Sequence, residues 1–205
     1  VGKIYFKNKD GKIIDNSHFG DIIWDLDKLP IPAWNLLPNE RYWKIGRPHG
    51  GKVIPGKKLK YASMMTSRGC PFSCSRYCVY PLQQGTKVRQ RNVKKIVDEM
   101  EYWNKKFQVR MFIFRDPVFS INKKHTIEFC NELRERELKI KFVIETHMRI
   151  LDSELIQLLK KSGLKAVKVG IESADTEVMK NESRYTISQD KQLLKIRELE
   201  KNKIS

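Results

Sequence analysis

Three of the chain's four cysteines, Cys70, Cys74 and Cys78, sit close together in RGCPFSCSRYCVYP (residues 68–81) at the spacing C-x3-C-x3-C. On one continuous helix the outer pair would stand about 12 Å apart along the axis, too linear for a compact centre. Gly69 and Pro71 point instead to a loop that curls. No fourth Cys or His follows at a zinc-finger interval, so the local sequence does not complete a tetrahedral zinc site. Three thiolates fit an iron–sulfur cluster that keeps one iron open for a further ligand. The start, VGKIYFKNKDG, lacks the charged-then-apolar pattern of a secretory signal, and a reducing cytoplasm keeps thiols free for metal or catalysis. Cys130 falls between Ile127 and Leu133 on the apolar side of a helical pattern and reads as a small core residue.

A site of this kind needs a frame that brings separate loops to one place. From Tyr61 onward the apolar runs YASMMT, VRMFIF, IKFVIE and AVKVGI alternate with helical patterns, as strands covered on both faces do. Val93, Ile96, Val97, Met100 and Trp103 keep helical spacing behind an Asn92 cap. Leu155, Leu158 and Leu159 follow Asp152 and stop at Gly163, and Leu193, Ile196 and Leu199 follow Ser188 as candidate cap. Strands joined by single helices run parallel. Four β/α units result, as an open sheet or as part of a (β/α) barrel.

In either architecture sites form at the carboxyl ends of the strands. There stand the three cysteines, then Arg115-Asp116-Pro117, then Glu145, Thr146, His147 and Arg149, then Gly170-Ile171-Glu172-Ser173. Glu145 and Arg149 could pair with each other as readily as with a ligand, and His147 reads as a hydrogen-bonded strand-end residue.

TSRGCPFSCSRYCVYP resembles the cluster loop of the radical S-adenosylmethionine (radical SAM) enzymes. FIFRDPVFSINKK and FVIETHMRILDSELIQLLKKSGLKAVKVGIESAD resemble the later strands of the same barrel, so the likeness spans about residues 61 to 180. It implies about four of the family's six β/α units. It also implies a four-iron four-sulfur cluster on Cys70, Cys74 and Cys78, S-adenosylmethionine on the fourth iron, and reductive cleavage to a 5′-deoxyadenosyl radical. Carried over by position, Tyr77 lies by the adenine, Asp116 with Arg115 occupies the loop that meets the methionyl amine, and Glu172 and Ser173 bond the ribose. An electron donor such as flavodoxin or ferredoxin is implied as partner. The family pattern is C-x3-C-x2-C, and here Arg76 reads as inserted, adding up to about 3.5 Å of contour. Either Arg76 loops out and Cys78 keeps its iron, or the barrel has lost its cluster.

Residues 1–60 have another texture. Asp10-Gly11 signals a hairpin, and DLDKLPIPAWNLLPNERYW is rich in Pro and Trp without periodicity. This stretch reads as a linking arm whose tryptophans anchor it. It resembles the segment that follows a cobalamin-binding domain in the cobalamin-dependent branch. That likeness implies a fragment, with such a domain upstream and a core at 61–205 cut short at its end. It further implies methyl transfer or related radical chemistry, with cobalamin bound outside this chain.

The net charge of +17 suits contact with a polyanion. The charges are scattered over every helical pattern, however, so most read as solvated faces and a small-molecule substrate is favoured over nucleic acid. A tRNA-modifying relative and a non-enzymatic metal or nucleic-acid module remain as alternatives. No run of about 18 apolar residues occurs that would span a membrane, and the cytoplasm is the expected address.

Overall fold

The four apolar runs form one parallel sheet: β3 (Tyr61–Met64), β6 (Met111–Phe114), β7 (Lys141–Glu145) and β8 (Leu164–Lys168), side by side in that order. This computed structural model describes residues 4–16, 22–45, 60–72, 74, 77–184 and 187–205. Each crossover carries a helix, α3 (Val93–Phe107), α4 (Lys123–Glu135) and α5 (Ser153–Lys161). Side chains cap each one: Asn92 accepts from the amides of Lys94 and Lys95, Asn122 from His125, and Asp152 from Leu155. The five apolar residues expected on the inner face of α3 are all buried. The expected sheet is therefore present, open rather than closed among the described residues.

β6 is buried along its whole length, as a strand covered on both faces must be. Its Phe114 meets Phe119, Phe129 and Phe142 with ring centroids 4.9, 5.4 and 6.0 Å apart, mostly edge to face. β8 begins two residues earlier than AVKVGI suggests and ends at Lys168. A register irregularity at Phe142/Val143 shifts the β7–β8 pairing, and Val169–Ser173 leaves the sheet as a loop. Gly163 allows the tight entry to β8: it has φ +112°, and a Cβ there would stand 2.4 Å from the Ile140 carbonyl oxygen. Beyond β8 come α6 (Thr176–Asn181) and α7 (Gln189–Lys201). Ser188 holds the N-cap position of α7 without a side-chain bond, and of the expected apolar stripe Leu199 is buried while Leu193 is exposed. Ser205 donates its amide to Lys165 O, and Val167 donates to Ser205 O, along the outer edge of β8.

Ahead of β3 in the sequence stands an antiparallel hairpin, β1 (Ile4–Lys7) and β2 (Ile13–Asn16), turning at Gly11 as its sequence suggests. Two short 3-10 turns, at Leu26–Lys28 and Trp34–Leu36, precede α1 (Asn39–Ile45). Trp43 enters the core and donates its indole N–H to Tyr61 O at 2.7 Å, while Trp34 meets Trp103 edge-on at 5.8 Å. Trp24 is exposed, with Lys87 and Arg89 over its ring. Trp34 and Trp43 thus make this segment's aromatic contacts with the core.

Cys130 is fully buried on α4, and burial pushes its thiol up to about 11. In the native chain at pH 8 it is expected to resist iodoacetamide and to react only after denaturation, as mass spectrometry of the alkylated peptides would read.

Candidate functional site

The cysteine loop is closed at its neck by a ladder too short to be read from pattern. β4 (Ser67–Arg68) pairs antiparallel with β5 (Arg89–Gln90), and α2 (Tyr80–Gln84) lies within the loop. The Gly69 amide donates to Gln84 Oε1 at 3.2 Å, and the Cys70 amide to Gly85 O at 3.1 Å. Gly69 has φ +96°, and a Cβ there would lie 2.2 Å from the Lys87 carbonyl oxygen. Gly69→Ala is therefore expected to cost about 2 kcal/mol, a fall of roughly 4–8 °C in Tm by scanning calorimetry.

Cys70 and Cys74 are buried and Cys78 half-buried, and all three line one cavity of about 330 Å³ at the carboxyl rim of the sheet. Burial pushes the Cys70 thiol up, and the neighbouring Cys74 and Cys78 add to that push. Pro117 and Val118 after β6, Glu145, Thr146 and His147 at β7, and Lys168, Gly170 and Glu172 at β8 complete the walls. All four rim loops meet here, as expected. A larger cavity of about 520 Å³ lies between residues 26–34 and β3; Leu26, Pro32, Trp34 and Met64 line it together with Arg91, Glu99 and Arg115, and it holds no thiol.

Asp116 departs from its expected place. It is fully buried and absent from the cavity wall, and its carboxylate accepts from the amides and hydroxyls of both Thr66 and Ser67 at 2.5–3.1 Å. Burial pushes this carboxyl's pKa up while those donors oppose the rise. Its oxygens are turned to the segment entering the cysteine loop, so its geometry is that of a positioning residue. Arg115 departs too. Its guanidinium is paired with Glu145, which also has Lys168 Nζ at 3.8 Å, so the Glu145–Arg149 pair weighed from sequence is displaced. Arg115 borders the larger cavity rather than the thiol site.

A family profile, that of the Radical SAM superfamily, matches residues 64–205, more than half of the chain. The chain belongs to the radical SAM superfamily. An anaerobic magnesium-protoporphyrin IX monomethyl ester cyclase of Rubrivivax gelatinosus is 34% identical over 176 residues, covering 85% of this chain and 29% of that protein. An uncharacterised methyltransferase of Pyrococcus horikoshii is 28% identical over 158 residues, covering 77% of this chain and 32% of that one. Among solved structures, the cobalamin-dependent S-adenosylmethionine radical enzyme OxsB with aqua-cobalamin bound matches all of this chain and 29% of its own, at TM-score 0.71 and 18% identity. The chain thus spans about a third of the length of the curated relatives it matches.

Of the remaining positions expected in a radical SAM site, Tyr77 and Glu172 line the cavity. Tyr77 is about half exposed, and burial of the rest pushes its hydroxyl up. Glu172 adopts φ +64° in the loop after β8. Ser173 is not on the wall, and its hydroxyl accepts from the Asp175 amide ahead of α6. Arg76 lies outside the described residues.

The cavity's donor set suits a polar, thiolate-held group. Thr146 Oγ1 and Arg184 Nε are buried in its wall and have no hydrogen-bond partner within the described residues. No three His, Cys, Asp or Glu side chains among the described residues close on a single metal ion. Ligands to the separate irons of a cluster need not do so. His147 is buried, tilted against Phe72 at 5.0 Å, and its Nδ1 accepts from the Arg149 amide. Sequence reasoning missed Tyr80 and Arg184. Arg184 is one of 41 basic residues and carries no local spacing signal.

Proposed function

We propose that this chain forms part of a radical SAM enzyme that binds a four-iron four-sulfur cluster through Cys70, Cys74 and Cys78 and cleaves S-adenosylmethionine reductively. The observation that carries the reading is the convergence of those three thiols with the β6, β7 and β8 loops on one polar cavity. When bound, the reduced cluster supplies one electron to the sulfonium, giving methionine and a 5′-deoxyadenosyl radical.

The chain's own residues place and shield the reactants. Tyr77 offers a ring edge for the adenine, and Glu172 accepts from the ribose hydroxyls, since a carboxylate is acceptor-only when ionised. Thr146 Oγ1 can donate to the methionyl carboxylate or accept from its amine. Asp116 holds Thr66 and Ser67, and through them the entry to the loop. Pro117, Val118 and Phe72 exclude water from the same wall.

For the whole protein we propose cobalamin-dependent methyl transfer or related ring-forming radical chemistry on a small molecule. The methyltransferase and cyclase names of its relatives, and the cobalamin in the OxsB structure, support this. Residues 1–60 then link an upstream cobalamin domain to the core from residue 61, and flavodoxin or ferredoxin supplies electrons. No helix among the described residues is long and apolar enough to cross a membrane, and free thiols suit a cytoplasmic address. The test is anaerobic incubation of the reconstituted chain with S-adenosylmethionine and dithionite. 5′-Deoxyadenosine formed only with reductant is the expected result. None from a fully loaded cluster would exclude the reaction.

A further inference from the structure

We infer that Arg184 sets the reduction potential of the cluster by holding a fixed positive charge against the Cys74 sulfur, an inference that rests on the cluster reading above. Its Nη1 donates to Cys74 Sγ at 3.1 Å, and its Nη2 donates to Gly170 O at 2.8 Å. Nη2 also stands 3.7 Å from Glu172 Oε1. One side chain thus ties the second cysteine to the loop after β8, across 110 residues of sequence.

The site is built around this guanidinium. A Cβ at position 170 would fall 2.8 Å from Arg184 Nη2 and 2.3 Å from Glu172 Oε1, so glycine there leaves the space both side chains use. The Arg184 side chain is only 12% exposed, which limits screening by water and salt.

Guanidinium keeps its charge at any working pH, and its bond to a thiolate is charge-assisted. When an electron from an outside donor enters the cluster, the added negative charge spreads onto the ligand sulfurs and no proton needs to follow. A cation fixed at one of those sulfurs stabilises the reduced form more than the oxidised one, and the potential rises. Hydrogen bonds to sulfur and local net charge are the recognised levers of such potentials. Glu172, which stands against Nη2 of the same guanidinium, opposes the effect. Arg184 is in this sense a positioning residue for charge, acting on the cluster through Cys74.

The test is an EPR-monitored redox titration of the anaerobically reconstituted 205-residue chain, without S-adenosylmethionine, alongside iron and sulfide assays. At the potential that half-reduces the unsubstituted cluster, Arg184→Gln is expected to raise the oxidised-to-reduced ratio about tenfold, a shift of ~59 mV to more negative potential for one electron. Arg184→Lys, which keeps the charge, is expected to stay near the parent value, and Glu172→Gln is expected to shift in the opposite direction. A merely structural strut would not give opposite signs for the two neutralising variants. An unchanged midpoint in cluster-loaded Arg184→Gln would overturn the inference. If Arg184→Gln takes up no cluster, Glu172→Gln decides: a midpoint equal to or below the parent's overturns the inference. Failure of the unsubstituted chain to bind iron would instead overturn the cluster reading beneath it.

Discussion

Asp116→Ala is expected to destabilise the chain by about 3 kcal/mol or more and to release the cysteine loop at its root. The change leaves the buried amides of Thr66 and Ser67 without an acceptor, and each stranded buried donor costs about 1–3 kcal/mol. The two hydroxyls can turn toward other acceptors, so the amides dominate the loss. The residue itself is fully buried, and removing its carboxylate also leaves a void beside β3 and β6. A loss of this size lowers Tm by roughly 6–12 °C in a chain of this length. Asp116→Asn keeps the shape and one carbonyl oxygen, and is expected to lose about half as much. Scanning calorimetry of the two variants reads the difference. Equal melting of Asp116→Ala and the parent would mean that Asp116 does not hold the loop.

The second large effect concerns the thiols themselves. Cys74→Ala is expected to reduce iron after anaerobic reconstitution from about four per chain to below one, because two thiolates cannot hold a cluster that normally takes three or four protein ligands. Cys130→Ala is expected to leave the iron unchanged, since that thiol is fully buried on α4 and takes no part in the cavity wall. The contrast separates ligand loss from general damage. Bound iron that survived Cys74→Ala while Cys70→Ala and Cys78→Ala also retained it would place the metal elsewhere.

The regular part of the fold was legible because each element announced itself locally. Apolar runs marked β3, β6, β7 and β8, and Asn92 and Asp152 marked helix starts by cap chemistry that acts within three residues. The neck of the cysteine loop was not legible. Its ladder is two residues per strand, shorter than any alternation, and α2 carries Pro81 in its first turn amid Tyr and Gln. The thiols, Tyr77 and Glu172 were expected together because the family resemblance fixes their places in local motifs, and they line one cavity. Asp116, Arg115 and Arg184 act through partners 49, 30 and 110 residues away, and no spacing rule encodes such contacts. Asp116 shows the consequence: it stands in the loop after β6, but its carboxylate turns to the amides and hydroxyls of Thr66 and Ser67.

That the C-x3-C-x3-C loop holds a four-iron cluster is tested by iron and acid-labile sulfide counted after anaerobic reconstitution. About four of each per chain is the expected result, with a reduced-state EPR signal that changes when S-adenosylmethionine is added. Less than one iron per chain, with uptake restored when Arg76 is deleted to give C-x3-C-x2-C, would contradict it.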